Sequence, residues 1–201
     1  MKLKQILLAG IAAGAANIAM ATTGTITFNG QVVASTCAVT VDNSASATAT
    51  VTLPTVNNVD LNGTGKTAGD THFTINVTDC TAISTPLITS IKTRFLARNV
   101  TGAYLANTAA ASAATNVAIE LLEDTGVVGS VNVPGASDST ATNTRLDFTT
   151  GYAESGTKLL ADAIDSNVVK FPFVARYVAT DVAGAGAGAV QAIVDYELAY
   201  Q

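Results

Sequence analysis

Tryptophan is absent from this chain, histidine occurs once and cysteine twice in 201 residues. Charge is scarce too, at 12% of residues against 48% hydrophobic, about half the charged share of an average soluble domain. Each shortage excludes something. A single imidazole, His72, cannot build a His-rich metal site or serve a mechanism that needs two. Ten basic against fifteen acidic residues give a net charge of −5, so no basic face exists to track phosphates and no nucleic-acid partner is expected. Long apolar runs are missing as well. The one at residues 6–16, all Ile, Leu, Ala and Gly, falls short of the roughly 20 residues that span a bilayer.

That run does read as an address. Lys2 and Lys4 precede it, and Ala19-Met20-Ala21 follows it as an A-x-A cleavage signature, so residues 1–21 are expected to be a secretory signal peptide cleaved after Ala21. Cleavage removes two of the lysines and leaves the mature chain more acidic still. Export also decides how the cysteines are read. In an oxidising compartment Cys37 and Cys80 most simply pair, which the chain-entropy model values at about 4 kcal/mol for a loop of this length. A metal or redox pair lacks a C-x-x-C spacing and further ligands.

The remaining length fits one domain, and its apolar residues recur with period two. Phe73, Ile75 and Val77 alternate with Thr74, Asn76 and Thr78. Val117, Ile119 and Leu121 share a face, with Glu120 on the other. Val169, Phe171, Phe173, Ala175 and Tyr177 oppose Lys170 and Arg176. Turn-rich stretches separate these runs at residues 57–58, 62–65, 133–143 and 184–188, and the low-complexity residues 44–50 read as a surface loop. Residues 106–115 are Ala-rich but carry no apolar stripe, so they read as loop or a weak helical turn. Short alternating strands with turn punctuation predict an antiparallel sandwich or barrel and no regular helix.

The two ends carry the functional signal. Val190, Ala192, Val194, Tyr196, Leu198 and Tyr200 are all apolar at even positions, which predicts a strand over 190–200 with one buried face. Chain ends fray unless a sheet holds them, so this tail is either built in or offered to a partner. At the other end Gly24, Ile26, Phe28, Gly30 and Val32 share one face of an extended segment. Pattern alone leaves two readings of it open: an ordinary first strand, or an extension that pairs with another chain's sheet edge.

Residues 25–37 read TITFNGQVVASTC and residues 68–80 read AGDTHFTINVTDC. These segments, with NVAI at 116–119, FVARY at 173–177, Gly188 fourteenth from the end and the penultimate Tyr200, resemble type 1 fimbrial subunits, the pilins of the chaperone–usher pathway. The resemblance covers essentially the whole mature chain. It implies an all-β fold, an incomplete immunoglobulin-like sandwich completed by a donor strand from a neighbouring subunit. Residues 22–33 would be the donor-strand extension and 34–201 the pilin domain. Gly24, Ile26, Phe28, Gly30 and Val32 would be the inserted face. Gly188, Val190, Ala192, Val194, Tyr196, Leu198 and Tyr200 would form the groove strand that a chaperone also holds. The implied partners are identical or related pilin subunits, a periplasmic chaperone, an outer-membrane usher and, through the whole fimbria, a host surface receptor. No cofactor is implied. Export through the periplasm to the cell surface is expected. Phe28 is bulkier than many family residues there, and Gly24 lacks a pocket-filling side chain, which implies weaker initial engagement.

Other classes were open to pattern alone. A self-contained secreted sandwich that binds carbohydrate or protein fits the same alternation. A small outer-membrane barrel fits it less well, because the chain ends in Gln201 rather than an aromatic residue and holds a cysteine pair. An enzyme fits least. His72 lies near Asp70 and Asp79 in sequence, but on the polar side of its strand and without a nucleophile motif, so it reads as a surface histidine. Asp42, Asp60, Asp124, Asp138 and Asp162 are scattered singly and read as solubilising charge.

Overall fold

A computed structural model describes residues 37–42, 44, 46–80, 90–124, 143–159 and 168–201. The signal-peptide residues Ala19 and Ala21, the extension residues Gly24, Ile26, Phe28, Gly30 and Val32, and Asp138 and Asp162 lie outside the described residues. The same holds for most of the loop expected at 133–143.

Among the described residues eleven strands run in chain order: β1 (Ala38–Val41), β2 (Thr67–Thr78), β3 (Ser90–Ala97), β4 (Val100–Thr101), β5 (Tyr104–Ala106), β6 (Val117–Glu123), β7 (Thr144–Arg145), β8 (Tyr152–Glu154), β9 (Lys158–Leu159), β10 (Val168–Ala179) and β11 (Val194–Tyr200). They form two antiparallel sheets. The larger has the order β1-β2-β10-β6-β5-β4, with β7 also beside β6. The smaller has the order β11-β3-β8, with β9 also on β3. These are two open sheets packed face to face, an incomplete immunoglobulin-like sandwich rather than a closed barrel.

Period two explains the core. Phe73, Ile75 and Val77 of β2 and Val169, Phe171 and Phe173 of β10 turn inward and are buried. From the smaller sheet Ile91 and Phe95 meet them. Phe173 sits between two rings, 5.5 Å from Phe73 and edge-on at 4.9 Å from Phe95, a geometry that suits aromatic quadrupoles. A second, smaller cluster of Leu61, Ala114, Val117, Ala179 and Ala185 closes one end. Pro172 is tolerated in a central strand because β6 pairing stops beside it: the last register pair is Phe173–Glu123, and the Asp124 amide donates to the Pro172 carbonyl.

Three expectations change on contact with the structure. Residues 58–61 form a short 3-10 helix, since the Asn57 side chain accepts from the Val59 amide and caps the turn. Glu120, expected on an exposed polar face, is buried. The register sets it directly opposite Arg176, whose Nε donates to its carboxylate at 2.7 Å, while Ala118, Leu122, Val174 and Val178 on these strands are buried too. Asp124 is not solubilising charge either. It is buried, and its Oδ2 lies 3.1 Å from His72 Nδ1, so His72 is a half-buried partner rather than a free surface histidine.

Candidate functional site

Ala38 pairs with Thr78 at the end of the β1–β2 ladder. Cys37 and Cys80 therefore sit just beyond the last pair, and they are joined in a disulfide with a Cα–Cα distance of 4.1 Å.

β1 is short because of Asp42. This residue has φ 51°, a left-handed conformation that Asp tolerates better than most side chains. Its amide donates to the Thr74 carbonyl at 2.7 Å, its Oδ1 accepts from the Thr74 amide at 2.7 Å, and its carbonyl accepts from Asn76 Nδ2 at 2.9 Å. The carboxylate thus takes the place of a backbone acceptor and ends the ladder without orphaning Thr74. The chain then leaves the larger sheet. Beyond the turn, residues 47–56 run outside any sheet, with Val51, Leu53 and Val56 half-buried and their neighbours exposed. Val51 and Leu53 pack on the main core.

The C-terminal segment flanks the same core. Val190, Ala192, Val194, Tyr196, Leu198 and Tyr200 are half-buried against it, while Gln191, Ile193, Asp195 and Glu197 are exposed. The expected alternation is present, but the strand starts at Val194 rather than Val190. Ahead of it, Gln191 bonds a loop instead: its carbonyl accepts from the Thr108 amide at 2.8 Å and its amide donates to Asn107 Oδ1 at 3.0 Å. Gly188 precedes the strand and lies against residues 112–114, where an added Cβ would come within 2.4 Å of the Ser112 carbonyl. Its place is a close backbone crossing, which only glycine allows.

β11 pairs with β3 from Val194–Ala97 to Tyr200–Ile91. Outward-facing charges reinforce that pairing. Arg98 holds Asp195 with two hydrogen bonds of 2.8 and 2.9 Å, and these hydrogen bonds keep the Asp195 carboxyl below its usual range. Arg94 reaches Glu197 on one side and Glu154 of β8 on the other, and Lys92 also binds Glu154.

The other edge of β11 faces residues 47–56. The Tyr196 hydroxyl donates to the Ala47 carbonyl at 2.7 Å, and at the far end Val56 and Val190 pack on the same small cluster. The two segments are therefore antiparallel walls of one groove. Among the described residues, no backbone hydrogen bond joins residues 48–56 to residues 194–198. Residues 47–56 are what reading the sequence missed, although Val51 and Leu53 carry the alternation that marks them. Among the described residues no group of three or more His, Cys, Asp or Glu side chains could hold a metal.

The fold is a two-sheet sandwich in which two apolar segments flank the core without pairing to each other. Its family is settled by sequence. The chain belongs to the fimbrial protein family, whose model matches residues 26–201. It is 34% identical over 203 residues to the F17 fimbrial protein of Escherichia coli, covering 98% of each chain. It is 33% identical over 217 residues to the major fimbrial subunit of Haemophilus influenzae, covering 99% of this chain and 98% of that one. Among solved structures it is similar to the P pilus rod subunit PapA at 15% identity and a TM-score of 0.46, covering 82% and 99% of the two chains. This protein is thus a structural subunit of a surface fimbria and associates there with other pilin subunits.

Proposed function

We propose that the subunit polymerises head-to-tail by donor-strand exchange. Residues 22–33 of one copy enter the groove between residues 47–56 and β11 of the next, with Gly24, Ile26, Phe28, Gly30 and Val32 turned toward the core. The observation that carries this reading is the pair of half-buried, alternating walls that share a core but make no backbone ladder with each other. Burying Ile26, Phe28 and Val32 contributes about 1.5–3 kcal/mol each, and a strand ladder on both sides adds roughly 1 kcal/mol per hydrogen bond. Because donor and acceptor are different surfaces of the same chain, the contact does not close and generates a filament.

The same groove needs cover before assembly, since unpaired apolar edges aggregate. A periplasmic chaperone supplies that cover after signal-directed export with cleavage at Ala19-Met20-Ala21, and an outer-membrane usher hosts the exchange. Adhesion to a host receptor belongs to the assembled fimbria. The test is co-expression with the cognate chaperone and usher. Ile26→Asp combined with Phe28→Asp leaves exported monomer and no denaturant-resistant ladder of multimers; a ladder of undiminished length contradicts the proposal.

A further inference from the structure

We infer that Asp42 and Tyr196 are positioning residues that hold the 47–56 wall one strand's width from β11 before a donor strand arrives. The inference rests on the donor-strand reading above and names what prepares the groove for it. A strand received between two walls needs them about two inter-strand spacings apart, roughly 10 Å. A free extended segment does not hold such a spacing by itself. It either drifts off or collapses onto its neighbour, and both must be reversed before insertion.

Two devices prevent that here. At its start, the wall is aimed by Asp42, whose left-handed backbone and bonds to Thr74 and Asn76 fix the point where the chain leaves the larger sheet. Hydroxyls of Ser44 and Ser46 then accept from the Ser46 and Thr48 amides and stiffen the turn. One residue past Ser46 the wall is tied at Ala47, where the Tyr196 phenol spans from β11 to the Ala47 carbonyl. An extended phenol and one hydrogen bond cover a span of the required order. Tyr196 is on the inward face of β11 and its ring packs 6.4 Å from Phe95, so the strut runs along the groove floor. A donor strand lies over it and need not break it.

The test uses the mature chain with Ile26→Asp and Phe28→Asp in its own extension, which keeps it monomeric, and a labelled synthetic peptide of residues 22–33. Association and dissociation are followed by fluorescence anisotropy, and folding by melting temperature. Tyr196→Phe keeps the ring and removes only the strut. Asp42→Ala removes the acceptor and the left-handed preference, whereas Asp42→Asn keeps both. Loss of preorganisation slows association about tenfold in Tyr196→Phe and in Asp42→Ala, leaves dissociation within about twofold, and is rescued by Asp42→Asn. Unchanged association in Tyr196→Phe overturns the strut, and unchanged association in a folded Asp42→Ala overturns the hinge. If Asp42→Ala does not fold, Tyr196→Phe decides. A monomer with Asp42 and Tyr196 intact that binds no peptide overturns the donor-strand reading and this inference with it; binding at equal rates in all variants overturns the inference alone.

Discussion

β10 and β11 are written in the same code and end in different states. Both place apolar residues at alternate positions: Val169, Phe171 and Phe173 in β10, and Val194, Tyr196 and Leu198 in β11. β10 has β2 on one side and β6 on the other, and its inward Phe171 and Phe173 are 1% and 0% exposed. β11 has β3 on one side, and its inward Val194, Tyr196 and Leu198 are only half-buried on the same core. Alternation specifies which face of a strand turns inward. It does not specify whether the chain supplies the neighbour that completes the burial. On the donor-strand proposal, the shortfall at β11 is where a second copy adds its strand.

The largest effect that sharpens this contrast comes from the crowded side. Phe173→Ala removes a ring packed between Phe73 and Phe95 and costs the monomer about 4 kcal/mol in denaturant unfolding. Removing the disulfide with Cys37→Ser and Cys80→Ser costs about 4 kcal/mol, since the loop it closes is long. Glu120→Gln, which breaks a pair buried beside β10, costs about 2 kcal/mol. Leu198→Ala on β11 costs the monomer only about 1 kcal/mol, because the site is already half-exposed. In the assembled fimbria the order narrows: Leu198→Ala weakens the multimer ladder more than it weakens the monomer, and an equal effect in both states would break the comparison.

Acid gives the smallest effect, and its sign is fixed. Hydrogen bonds from Lys92 and then Arg94 hold the Glu154 carboxyl below its ordinary value. The unfolded chain therefore binds this proton more readily, so the contribution is present above the usual carboxylate pKa and fades as pH falls through the lowered folded value. Melting temperature drops slightly across that window at low salt. Glu154→Gln flattens the drop, and added salt shrinks it.

The sheet faces were legible in the sequence because period two is enforced by geometry: Phe73, Ile75 and Val77 had to share a side whatever else happened. The cysteine pairing was legible from export. What escaped was everything set by register between distant strands. Glu120 looked solvent-facing until the ladder put it opposite Arg176, and His72 looked free until the end of β6 brought Asp124 to it. The groove wall at 47–56 escaped for a different reason. It begins in low-complexity Ala, Ser and Thr, and the strand code is carried by Val51 and Leu53 alone. Asp42 read as a lone charge because nothing in one chain's pattern announces that a carboxylate will stand in for a backbone carbonyl.

The most direct measurement is amide hydrogen exchange on the full mature chain, comparing monomer held apart by Ile26→Asp and Phe28→Asp with assembled fimbriae. The account predicts that amides of residues 51–56 and 194–198 that point into the groove exchange quickly in the monomer and become protected in the fimbria, while those of β10 are protected in both. Groove amides equally protected in the monomer, or unprotected in the fimbria, would contradict it.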